Sequence, residues 1–276
     1  MSRPRIYSSD RQRQKAYRDR LALQNSPPIV TKPLLGQLVL SLFPGADLFG
    51  KSFELLGACV VRGPEKLLGQ DIREFTGFPG RFDGVIGGPP CQAFSQAAIS
   101  GSNAENLIPE FIRVVEESKP RWAVMENVPA AGRAWTLWPS VVLSDWNCGG
   151  FTFRRRRFWF YGLPLPVPAT QRPGNPEYSV LATSWNHQQP MSARHAKPLL
   201  ARRAAELQGF PELGERLIAG LPGNRSVRGD WKGITGYSRN VFAVHVLGNG
   251  VPAALGRSVA LHVGACLTDA RQNERN

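Results

Sequence analysis

An α/β fold built on a doubly wound, mostly parallel sheet is predicted by three observations. Short apolar runs at residues 38–43, 58–61, 82–86 and 121–125 read as buried strands. The first run ends in a glycine turn that leads into a helix-like stretch reaching about Leu56. The side chains best suited to chemistry, Cys91 and Glu126, stand just past the third and fourth runs. In open α/β sheets the carboxyl ends of the strands are where ligands bind.

Taken in chain order, 276 residues suffice for one large core with room for a small second region. Residues 1–25 carry seven Arg or Lys and two Asp, and Asp10 is placed to cap a short helix through Arg18. This segment has little apolar stripe, so it reads either as a basic arm on a polyanionic partner or as a solvated helix. Residues 26–35, opening on Ser26-Pro27-Pro28, read as a linker.

The sheet domain is assigned to residues 36–163. Its first strand, turn and helix start form a usual cradle for a charged cofactor, around Phe43 and Gly45. Glu65 lies about twenty residues past that turn, the distance at which such folds place an acid on ribose hydroxyls. An exposed loop glutamate is the alternative. Residues 154–157 are four arginines running into Phe158-Trp159-Phe160. Strand alternation puts Arg155 and Arg157 on one face, read as facing the site, and Arg154 and Arg156 on the other. Residues 164–240, rich in Pro, Gly, Trp, Arg and Asn, show little periodicity, and 241–276 return to complete the sheet domain.

Cys91 follows Gly87-Gly88-Pro89-Pro90. Two prolines exclude it from a helix interior or a paired central strand, so it is presented on a loop. A lone cysteine is ordinarily a small buried hydrophobe. A packed core position does not require two glycines and two prolines before it, whereas a loop approaching a flat substrate closely does. A thiol and a carboxyl delivered to one sheet edge is the arrangement expected for nucleophilic attack assisted by an acid.

Pro89-Pro90-Cys91-Gln92, followed by Glu126-Asn127-Val128, resembles the signature of the cytosine-C5 DNA methyltransferases, over roughly residues 38–163 and 197–265. The resemblance implies a Rossmann-like methyltransferase sheet with a small irregular target-recognition region at 164–240. It implies S-adenosylmethionine as cofactor and no metal. Cys91 would be the nucleophile toward cytosine C6, and Glu126 the carboxyl that neutralises N3, with a pKa raised by burial.

The family pattern Gln-x-Arg-x-Arg, laid on Phe153, Arg155 and Arg157, adds the two arginines to the catalytic set and leaves the glutamine missing. The cofactor set implied is Phe43, Gly45, Glu65, Asp71, Ile72, Pro89, Asn249 and Val251. Asp47 replaces the second glycine of the family's Phe-x-Gly-x-Gly turn. Gln92, Ser95, Asn127 and Val128 are expected at the substrate, with 92–102 as a loop closing over a flipped-out base. Residues 199–211 resemble the family's ninth motif.

The balance of 34 Lys and Arg against 21 Asp and Glu, a formal charge of +13, suits a phosphate-backbone binder. Double-stranded DNA is the expected partner and a monomer the expected state. No run approaches the ~20 apolar residues of a spanning helix, the start has no secretory apolar core, and the four cysteines have no zinc spacing. A cytoplasmic protein without a membrane or metal partner is expected. Two rivals stay open. A tRNA-directed methylase of the same family would use the same cysteine and glutamate, and a non-catalytic DNA-binding relative is suggested by the changes at Asp47 and Phe153.

Overall fold

The computed structural model describes residues 32–65, 69–94, 105–168, 173–182, 199–220 and 239–273. The basic arm with the helix expected after Asp10, most of the expected closing loop including Ser95, and residues 169–172, 183–198 and 221–238 of the expected target-recognition region lie outside the described residues.

Strand β1 (Leu38–Leu42) is followed by helix α1 (Leu48–Leu55) and strand β2 (Cys59–Arg62), and β3 (Gly84–Gly87) by α2 (Ile108–Ser118) and β4 (Trp122–Asn127). These four strands run parallel in the order β2-β1-β3-β4; α1 and α2 form the β1–β2 and β3–β4 crossovers, while among the described residues the β2–β3 connection holds only a 3-10 turn at Ile72–Glu74. Strands β5 (Ser140–Ser144) and β6 (Arg155–Tyr161) then close the sheet as an antiparallel pair, with β6 against β4. The chain continues into α3 (Ala201–Leu207), α4 (Pro211–Gly220), α5 (Arg239–Asn249) and α6 (Ala253–Asn273).

Each face of the sheet buries its own layer, so the central strands carry apolar residues without alternation. On one face Phe49 and Phe53 of α1, with Leu255, Val259 and Val263 of α6, cover Trp122, Val124, Phe158 and Phe160. The other face packs Ile108, Phe111, Ile112 and Val115 of α2 over Leu40, Val85, Ala123, Met125 and Trp159. Full burial of side chains this size contributes about 1.5–3 kcal/mol each. Trp122 stacks on Phe53 at 5.9 Å and fills the space left by Gly84, where an added Cβ would meet the indole at 2.2 Å.

The stretch 164–240 is less irregular than its composition suggests, because α3 and α4 lie inside it. Small residues Ala201, Ala204 and Ala205 let these helices pack against Ala243, Val244 and Leu247 of α5, with Leu48 at the start of α1. The apolar stretch Asn240–Ala270 is long enough by composition to cross a membrane. It is broken between α5 and α6 at Gly250-Val251-Pro252, and the α6 residues named above lie in the core.

Candidate active site

Cys91 emerges where expected, four residues beyond the carboxyl end of β3, and opens a single 3-10 turn (Cys91–Ala93) closed by Phe94 N–H donating to the Cys91 carbonyl at 2.9 Å. The loop is tied to β4. Asn127, expected at the substrate, is buried and donates from Nδ2 to the Pro89 carbonyl at 3.0 Å, while its Oδ1 accepts from Val128 N at 2.8 Å. Gly88 permits the approach, since a Cβ there would sit 2.7 Å from Glu126 Oε2.

Glu126 lies at the end of β4, paired in register with Phe158 of β6. Its Oε1 is 2.7 Å from Arg156 Nε, with both side chains about nine-tenths buried. Burial raises the Glu126 pKa, and the Arg156 and Arg154 guanidinium groups oppose that rise. Burial likewise pushes the Cys91 thiol up, with Arg156 drawing it down and Glu126 adding to the rise. The thiol and the carboxyl therefore lie within electrostatic reach of each other, and both feel the charges of Arg156 and Arg154.

The arginine run enters β6 in the opposite phase from the sequence reading. Arg156 meets Glu126, and Arg154 lies fully buried, donating to the carbonyls of Val180 and Gly248. Burial first, then repulsion from Arg156, lowers the Arg154 pKa to about 9. Arg155 is exposed. Arg157 points to the other sheet face, donating to Ser140 Oγ at 2.8 Å and to the Pro129 carbonyl at 3.3 Å, with its guanidinium 5.8 Å from the centre of the Trp159 ring. Moving the family pattern back one residue lays its arginines on Arg154 and Arg156 and its glutamine on Thr152. Thr152 is buried there and bonded to Asp145 at 2.7 Å. Both phases of this strand carry aromatic residues, so hydrophobic pattern alone could not choose between them.

At the first turn, Phe43, Gly45 and Asp47 all adopt left-handed backbone, with φ of 53°, 53° and 50°. Asp47 thus takes up the conformation that the missing glycine would supply, at a residue type that tolerates it. Its carboxylate caps α1 by accepting from Gly50 N at 3.1 Å, accepts from Ser41 Oγ at 2.8 Å, and pairs with Arg62 at 2.9 Å. Gly50 makes room, because a Cβ there would meet that carboxylate at 2.4 Å. We expect Asp47→Gly to relieve the backbone but lose the cap and the Ser41 bond, lowering unfolding stability in urea by about 1 kcal/mol; an unchanged midpoint would mean the buried carboxylate contributes nothing.

Glu65 reaches back to this turn and accepts from Gly45 N at 2.7 Å. Asp71 caps the 3-10 turn Ile72–Glu74 and pairs with Arg73 at 2.6 Å, while Ile72 is buried. Val251 is buried in the same core layer as Phe49, and Gly250 approaches Leu48 so closely that a Cβ would meet it at 2.4 Å. The Gly-Asn-Gly turn is thereby set against the start of α1, with Asn249 Nδ2 3.1 Å from His245 Nε2. A turn with left-handed backbone and open space beside Gly45, acids at Glu65 and Asp71, and the later turn packed behind form a donor set that fits a nucleoside-bearing cofactor. Among the described residues no cluster of three or more His, Cys, Asp and Glu could hold a metal ion.

The parallel sheet, the presented thiol and the carboxyl at the next strand's end define a methyltransferase-type α/β protein. Residues 64–133, which hold both groups, match the family described as C-5 cytosine-specific DNA methylase. Similar proteins include the type II methyltransferases M.NgoPII of Neisseria gonorrhoeae, 31% identical over 127 residues (38% of this chain, 36% of that protein), and M.FnuDI of Fusobacterium nucleatum, 34% identical over 110 residues (33% and 32%). The matched segment spans about a third of these relatives' length. In fold, the chain is similar to a protein described as a DNA modification methyltransferase encoded within an E. coli prophage, with a TM-score of 0.51 at 16% identity over 84% of this chain and 100% of that one. DNMT2 of Spodoptera frugiperda gives 0.50 at 13% identity, over 83% and 100%. The segment that holds Cys91 and Glu126 is thus similar to the cytosine-C5 DNA methylases.

Proposed function

We propose that this protein methylates cytosine C5 in double-stranded DNA, through a covalent bond between Cys91 and C6 of a cytosine flipped out of the duplex. The reading is carried by one arrangement: a half-buried Cys91 and a buried, Arg156-paired Glu126 within electrostatic reach of each other. The Cys91 thiolate adds to C6, and the electron pair of the C5=C6 bond moves through the ring toward N3. Glu126, whose pKa burial raises, gives N3 a proton and so stabilises that charge. C5 thereby becomes the nucleophilic carbon. Gly45, Glu65 and Asp71 would hold S-adenosylmethionine, which would supply the methyl group to C5 as its methyl–sulfonium bond breaks and S-adenosylhomocysteine leaves. Water takes the C5 proton, the electron pair re-forms the C5=C6 bond as the Cys91 thiolate leaves, and N3 returns its proton to Glu126, leaving 5-methylcytosine.

Arg156 orients Glu126 and tempers the rise in both pKa values. The changes at Asp47 and Phe153 do not argue for a degenerate site, because Asp47 keeps left-handed backbone and Thr152, not Phe153, takes the inward position. Incubation with tritium-labelled S-adenosylmethionine and either plasmid duplex or bulk tRNA tests the reading, with bisulfite sequencing of the plasmid for context. Label in duplex DNA is the expected outcome. Label confined to tRNA would move the substrate to RNA, and label in neither would sink the proposal.

A further inference from the structure

Phe153, freed from the glutamine position, belongs to a surface feature that the chemistry above does not use. Residues 151–155 run extended into β6, with Thr152 and Arg154 turned into the core and Phe151, Phe153 and Arg155 turned outward. Phe151 is 55% exposed and Phe153 37%. Tyr178, 41% exposed, packs its ring on Phe153 at 5.7 Å, held there because Phe153 N–H donates to the Glu177 carbonyl at 3.2 Å and Glu177 N–H to the Phe151 carbonyl at 2.8 Å. The neighbouring acid, Glu177, pairs with Arg203 at 3.1 Å, so the outward row does not repel a polyanion.

Large aromatic rings left in water beside an exposed arginine have the composition of a nucleobase-stacking surface rather than of a solvated face. Position favours the same occupant. Phe153 precedes Arg156, which contacts Glu126, by three residues of extended chain, about 10 Å.

We propose that Phe151, Phe153 and Tyr178 form an aromatic platform for the base faces that extrusion of the cytosine leaves unstacked, with Arg155 on the adjoining phosphate. The inference rests on the DNA-methylating reading and names where the duplex lies. Base stacking is neutral and Arg–phosphate contact is ionic, so the two separate in salt dependence.

The test is binding of a fluorescein-labelled mixed-sequence duplex by anisotropy across a salt series, alongside methyl transfer by the wild type. Phe151→Ala and Phe153→Ala should each weaken binding about tenfold with an unchanged salt slope, Phe153→Trp should restore it, and Arg155→Ala should reduce the slope by about one. Phe153→Ala also removes the Tyr178 ring contact, so Phe151→Ala, with an unchanged thermal melt, carries the decision. A wild type that methylates duplex DNA while Phe151→Ala binds normally overturns the platform alone. Loss of binding to tRNA but not to duplex overturns DNA as its occupant, and a wild type that binds no nucleic acid overturns both the platform and the proposed function.

Discussion

Cys91→Ser is expected to abolish methyl transfer, by on the order of 10³-fold or more, while leaving duplex binding largely intact. A hydroxyl ionises far less readily than a thiol. The site magnifies that difference, because burial already raises the Cys91 pKa and only the Arg156 and Arg154 charges work against it. Those arginines favour an anion on sulfur, whereas a hydroxyl starts from a far higher pKa. The fold should tolerate the exchange, since the 3-10 turn at Cys91 is closed by its backbone carbonyl rather than by its sulfur. Single-turnover transfer of tritiated methyl groups measures the loss. A duplex carrying 5-fluorocytosine provides a second readout, because a C5–F bond cannot lose its substituent as a proton would leave. The wild type should accumulate a covalent protein–DNA species that survives denaturation, and Cys91→Ser should not. Near-normal turnover in the variant would remove Cys91 from the mechanism.

The sequence made some of this legible and concealed the rest for identifiable reasons. Strands β1, β3 and β4 could be placed because their residues are largely buried on both faces and form compact apolar runs, whereas β2, a mostly exposed edge strand, showed only as the short apolar run 58–61. Cys91 and Glu126 could be placed because each stands at the carboxyl edge of such a run. The strand β5, Ser140–Ser144, was not legible, since only Leu143 of its five residues is fully buried and the run is short. Helix α3 was hidden by composition, its buried positions being mostly alanines with little hydrophobic contrast. The phase of β6 was hidden differently: four consecutive arginines look alike, and Phe158 and Trp159 are both buried on opposite faces. Only pairing with β4 decides it, through Glu126 opposite Phe158. Asp47 seemed a departure from the cofactor turn because its residue type was compared rather than its backbone angle.

Glu126 and Arg156 form the pair on which the second large effect rests. Glu126→Gln retains a hydrogen-bonding side chain in the same space but cannot deliver a carboxyl proton, so turnover should fall by roughly 10²–10⁴. Arg156→Met asks a sharper question. The Arg156 guanidinium draws down the pKa of both Glu126 and Cys91, so its removal leaves burial opposed mainly by Arg154 and raises both. The reaction needs the thiol ionised and the carboxyl protonated, which makes the pH–rate profile a bell whose limbs belong to the coupled pair. Raising both pKa values moves both limbs to higher pH, whichever limb is assigned to whichever group. Folding carries the same sign. Glu126 binds its proton more tightly when folded than when unfolded, so its contribution to stability declines as pH rises from the unfolded value toward the folded one, and Arg156→Met extends that decline upward. The bell measured for wild type and Arg156→Met under saturating duplex is decisive. A loss of rate with both limbs unmoved would make Arg156 a packing residue, and the electrostatic account of the site would fall with it.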